Sequence, residues 1–188
     1  MNIKSTVTAF LAVVMFSLPA AAPVAAQQAG DRAGRLLAEL AQAPDDTQAA
    51  RLERQLIDEW SKSGSAARDL LLKRGRDALE VSDWSAAADH FAALTDHAPD
   101  FAEAWHGLAL AYYQLDAFGP AMDALERTLA LNPDHFAALR GVGAIHEQTG
   151  KPALAYEAYE RVLRLRPHDP DVQNALSRLE RDVRGVTL

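Results

Sequence analysis

Cysteine is absent from the 188 residues, which excludes a disulfide framework, thiolate metal sites, a cysteine nucleophile and a lipid carried on an N-terminal cysteine. Stability must come from packing alone. Aromatic residues are few, at 7%, and 19 basic residues are outnumbered by 26 acidic ones, for a net charge of −7. A surface of that sign has no uniform basic field, so neither nucleic acid nor anionic lipid is expected as a partner. Also missing are a dinucleotide or Walker phosphate loop, a nucleophile elbow and an HExxH zinc helix. The six histidines, at 90, 97, 106, 135, 146 and 168, lack paired metal-ligand spacing and read as surface or groove residues. No metal, no cofactor and no catalytic residue is expected. Arg51, Glu53, Asp58 and Glu59, the charges of the N-terminal part, read as salt-bridging surface groups. What remains, 49% hydrophobic and 24% charged, is the composition of a folded domain.

Long apolar runs are confined to the start of the chain. Lys4 supplies a short basic end, and Val7 to Leu18 is almost unbroken apolar sequence, too short to span a bilayer. Small residues follow Pro19, and Val24-Ala25-Ala26 before Gln27 suits signal-peptidase cleavage. Residues 1–26 are therefore expected to be a signal peptide, with a retained anchor as the alternative. Cleavage would leave no stable membrane span and a periplasmic or secreted protein of bacterial type.

The rest of the chain is periodic. Pro99, Pro133 and Pro167 are spaced by 34, as are Ala87, Ala121 and Ala155. Leu71, Trp105 and Leu139 share the interval, and so do Gly75, Ala109 and Gly143, and Phe91, Leu125 and Tyr159. A fixed period of this length signals a stacked repeat. Within one unit, Trp105, Leu108, Ala109 and Tyr112 form an apolar stripe on a first helix, and Ala121, Leu125 and Thr128 continue on a second. The alanine and glycine columns mark where the two helices cross closely. Asp100 with Glu103 reads as an acidic capping box, with Asp134 and Asp169 in the equivalent place before the next helices.

The run Trp105, Leu108, Ala109, Tyr112, Ala121 and Pro133 resembles the tetratricopeptide repeat signature. The match extends to three units, 68–101, 102–135 and 136–169. Arg74 departs from the expected leucine, His146 from the tyrosine and Thr128 from the late alanine. The resemblance implies an all-α solenoid of helix-turn-helix repeats, closed by a C-terminal capping helix over 170–183. Upstream, helical patterns over 32–41 and 46–62 form an N-terminal pair within 27–64, readable as a degenerate first repeat because Leu37, Leu40, Ala41, Ile57 and Trp60 fall in apolar columns.

In such an array the first helix of each unit lines the inner surface. At about 100° per residue, places away from the packing stripe hold Asp69, Leu72, Arg76 and Leu79, then Glu103, His106, Leu110 and Tyr113, then Ala137, Arg140, Ala144 and Glu147. From these, Leu72, Arg76, Glu103, His106, Leu110, Tyr113, Arg140 and Glu147 are the candidate partner groove. Leu72, Leu110 and Tyr113 are the expected apolar anchors, with Arg76 and Arg140 selecting an acidic group. The resemblance implies a groove that binds a segment of another protein; with the signal segment, the alanine- and arginine-rich composition and the absence of cysteine, the expected role is a non-catalytic adaptor or assembly factor of a bacterial cell envelope. The alternative is a self-associating scaffold. The family variant that grips a C-terminal carboxylate has a lysine and an asparagine where this chain has Leu72 and Arg76.

Overall fold

The computed structural model describes residues 24–185, so the expected signal segment lies outside it except for Val24-Ala25-Ala26. Among the described residues there are only helices: α1 (Val24–Ala41), α2 (Asp46–Trp60), α3 (Ala66–Glu80), α4 (Trp84–His97), α5 (Ala102–Gln114), α6 (Phe118–Leu131), α7 (Phe136–Gln148), α8 (Pro152–Leu165) and α9 (Pro170–Gly185). None is long and apolar enough to cross a membrane.

Helices α3 to α8 form three antiparallel pairs that stack in chain order, and α9 packs on α8. Small residues permit the crossings. A Cβ on Gly75 would lie 2.6 Å from the ring of Phe91, and one on Gly107 would lie 2.3 Å from it, so this ring is held between two backbones. A Cβ on Gly143 would likewise collide with the Tyr159 ring. Ala87, Ala121 and Ala155 are all fully buried. Within each pair the turn reverses through one left-handed residue: Ser82 (φ 60°), Asp116 (φ 56°) and Gly150 (φ 70°), themselves spaced by 34.

The expected caps are only partly realised. Asp169 Oδ1 accepts the N–H of Val172 at 3.1 Å at the start of α9. The N-caps of α5 and α7 are instead Phe101 and His135, one residue later than Asp100 and Asp134. Glu103 is buried and turned away from any capping box.

The N-terminal pair does not stack on α3 as a preceding repeat would. Helix α1 packs on α2 and α8. Leu36, Leu40, Leu52 and Leu56 share one apolar cluster with Phe136, Tyr159, Val162, Val172 and Leu179, from the third unit and α9. Arg166, in the turn before α9, ion-pairs with Asp46 and Glu53 of α2, both at 3.1 Å. At the other end of α2, Trp60 stacks on His135 with ring centroids 4.8 Å apart. Ser61 just beyond accepts from Arg76 of α3 at 2.8 Å. The chain therefore folds back, and α2 crosses the turns between units in the reverse of chain order.

Candidate partner groove

Two cavities open on the face lined by α3, α5 and α7. The first, about 220 Å³, is lined by Ala109, Leu110, Tyr113, Leu125, Gly141 and Ile145 among others, with Arg140 and Gln114 as its only strongly polar side chains. The second, about 200 Å³, includes Arg76, Leu79, Phe91, Glu103, His106 and Gly107. Adding 34 to those six numbers yields Leu110, Tyr113, Leu125, Ala137, Arg140 and Gly141, all of which line the first. The cavities are one site repeated. They differ in chemistry, because the earlier copy carries charge and is bordered by Ile57 of α2, whereas the later copy is apolar and has no α2 residue on its wall.

The charged cavity is an internal network. Glu103 Oε2 accepts from Arg76 at 2.8 Å, and its Oε1 lies 2.9 Å from His135 Nε2. His135 Nδ1 accepts the backbone N–H of Ala138 at 3.1 Å, which assigns the ring proton to Nε2, the atom donating to Glu103. Burial opposes the Glu103 charge, but the His135 hydrogen bond and the charges of the neighbouring groups outweigh it and lower its pKa. His106, whose ring centre is 4.5 Å from that of His135, has a pKa lowered to about 3 by burial and then by His135, so it is neutral at pH 7.

Glu103, His106 and His135 bring ligand atoms within 4.8 Å of one another, a meeting that chain spacing hid because His135 belongs to the next turn. Two imidazoles and a carboxylate suit a divalent cation by type. The hydrogen bonds do not. A metal on His135 Nε2 would move the proton to Nδ1, against the Ala138 N–H, and would share Glu103 with the Arg76 guanidinium.

Several groove expectations are corrected by burial. Leu72 is 4% exposed and belongs to the core with Phe91 and Ala104, because α3 turns that place toward its neighbour. Glu103, also 4% exposed, is spent on Arg76 and His135. Both arginines have carboxylate partners: Arg76 is held as described, and Arg140, more loosely, has Nη1 3.4 Å from Asp169. Glu147 accepts from the Tyr159 hydroxyl at 2.8 Å and from Arg178 at 2.6 Å. Burial, then that hydrogen bond, raises the Tyr159 pKa. His135, expected on a surface, is 1% exposed. Leu110 remains 40% exposed, and the Tyr113 ring rests on Phe118 with centroids 5.6 Å apart. The open apolar floor is therefore the α5–α7 stretch.

Stacked helix pairs with a lined inner face define a solenoid of the interaction type. The tetratricopeptide repeat family model matches residues 72–123 and 118–170, and the chain belongs to this family. A TPR repeat-containing protein of Rhizobium etli is 30% identical over 154 residues, 82% of this chain and 76% of that relative. Among solved structures, the first TPR of Spaghetti (RPAP3), bound to the HSP90 peptide SRMEEVD, superposes with a TM-score of 0.60 at 25% identity. It covers 62% of this chain and 92% of its own. MamA has the same fold at 20% identity, with a TM-score of 0.59 over 85% of this chain and 84% of its own.

Proposed function

We propose that this chain is a non-catalytic adaptor or assembly factor that holds a segment of another protein on the open α5–α7 stretch of its inner face. The proposal includes export by the N-terminal segment and a place of work in a bacterial cell envelope. The observation that carries the reading is the apolar cavity between Leu110, Tyr113 and Ala144, exposed on a face that stacking does not need. The peptide complex of the Spaghetti TPR, on the same fold, supports a polypeptide as the occupant. Gripping of a carboxylate tail is disfavoured, since Leu72 is buried and Arg76 is committed to Glu103.

A photo-cross-linking residue at Gln114, on the cavity rim, is compared with one at the exposed Asp123 of α6, in cells that process the full chain. A discrete cross-linked partner from position 114 alone is expected. Equal capture from both positions, or only homodimers, would overturn the groove reading, and homodimers would favour a scaffold. N-terminal sequencing of the envelope fraction should begin at Gln27; intact Met1 in membranes would refute cleavage.

A further inference from the structure

We propose that the α5–α7 cavity is a receptor for one aromatic side chain of the partner segment. The inference rests on the groove reading and names what the groove recognises. Three observations carry it.

The first is the column Phe91, Leu125, Tyr159, read with the glycine column. Rings at Phe91 and Tyr159 press on Gly75 and Gly143, whereas the middle unit pairs Leu125 with Ala109. The middle unit alone lacks a ring of its own at this crossing. The second is size and lining. An apolar cavity of about 150 Å³ suffices to hold benzene, and this one measures about 220 Å³, between the Leu125 side chain, Gly141 and Ile145. The third is the mouth. Arg140 lines it with a side chain 39% exposed and a single 3.4 Å ion pair, so the guanidinium remains able to lie over an inserted ring.

The chain itself shows how such a side chain arrives. At the equivalent site one unit earlier, Ile57 is presented by α2 to the wall beside Leu79 and Leu110. Arg76 and Glu103 make that copy polar; their counterparts Leu110 and Ala137 make the later copy apolar. A partner segment lying beyond α2 would present its aromatic residue in the same way.

The test uses the free ring. Acetyl-phenylalaninamide, with acetyl-alaninamide as control, is titrated into the full chain while the Gly141 amide and Leu125 methyl resonances are followed. Saturable shifts with the phenylalanine compound alone are expected. Two variants fill the site from opposite sides. The double variant Ala109→Gly/Leu125→Phe recreates the glycine–ring pairing of the flanking units, and Ala144→Leu closes the mouth. Each should weaken the titration at least tenfold while leaving the melting temperature within a few degrees. If the double variant melts early, Ala144→Leu decides. No shift at Gly141, or undiminished binding in a folded filled variant, would overturn the proposal. Continued cross-linking from position 114 in that event leaves the groove reading standing, whereas loss of both removes both.

Discussion

His106 and Glu103 make stability depend on pH in one direction. The folded pKa of His106 lies near 3 against 6.5 unfolded, so between those values the unfolded chain binds the extra proton. That contribution is complete above about pH 6.5 and is lost as pH falls, by up to about 1.4 kcal/mol per pH unit. Glu103, lowered from 4.5, adds a second loss in the same direction at more acidic pH. Urea midpoints should therefore drop from pH 7 to pH 5, and His106→Asn should flatten that slope; an unchanged slope would contradict the burial of this ring. The left-handed turn residues supply another test. Ser82→Gly should raise stability by up to about 1 kcal/mol and Gly150→Ser lower it by as much, read from thermal melts. Leu110, Tyr113 and Ala144, which spacing along the helix sets apart from the packing stripe, line one cavity. The same spacing misjudged Leu72 and Glu103, because angular position does not report which neighbour closes over a place. His135 carried a readable signal, since Phe101, His135 and Asp169 share one turn place, but its partner lies in another unit.

At the scale of the helix, the alanine column was legible because close crossing leaves no alternative to a small side chain. Ala121→Leu should cost about 1–3 kcal/mol, whereas Ala130→Leu, exposed on the same helix, should cost little. Ala124, which lies outside the columns, is also only 3% exposed and belongs with Ala121. The docking of α2 rests on Arg166, whose side chain is 9% exposed among Asp46, Glu53 and Asp169. Its removal leaves the buried Asp169 carboxylate with only the longer Arg140 pair and the Val172 N–H, and Arg166→Ala should cost up to about 3 kcal/mol in a urea melt. Lys73→Ala, which breaks the exposed pair with Asp77, should cost at most about 1 kcal/mol. Nothing in the local pattern of residues 32–62 announced where this pair would dock. Apolar periodicity identifies a face to be buried and leaves its partner open.

For the whole molecule, the period of 34 made the solenoid legible, since each unit buries its stripe only against the next. The fold-back escaped detection because it joins residues 120 positions apart, Asp46 and Arg166, through side chains that no period relates. That link has a consequence for how such proteins change length. In a solenoid whose units contact only their neighbours, nothing refers one end to the other. Here α2, with 15 residues spanning about 22 Å, reaches from the last turn back to Ser61 beside Arg76 of the first unit, and so gauges the array. An inserted unit would carry Arg166 beyond its reach. A duplicated unit would separate the Asp46 end of α2 from Arg166 while Ser61 kept its place beside Arg76.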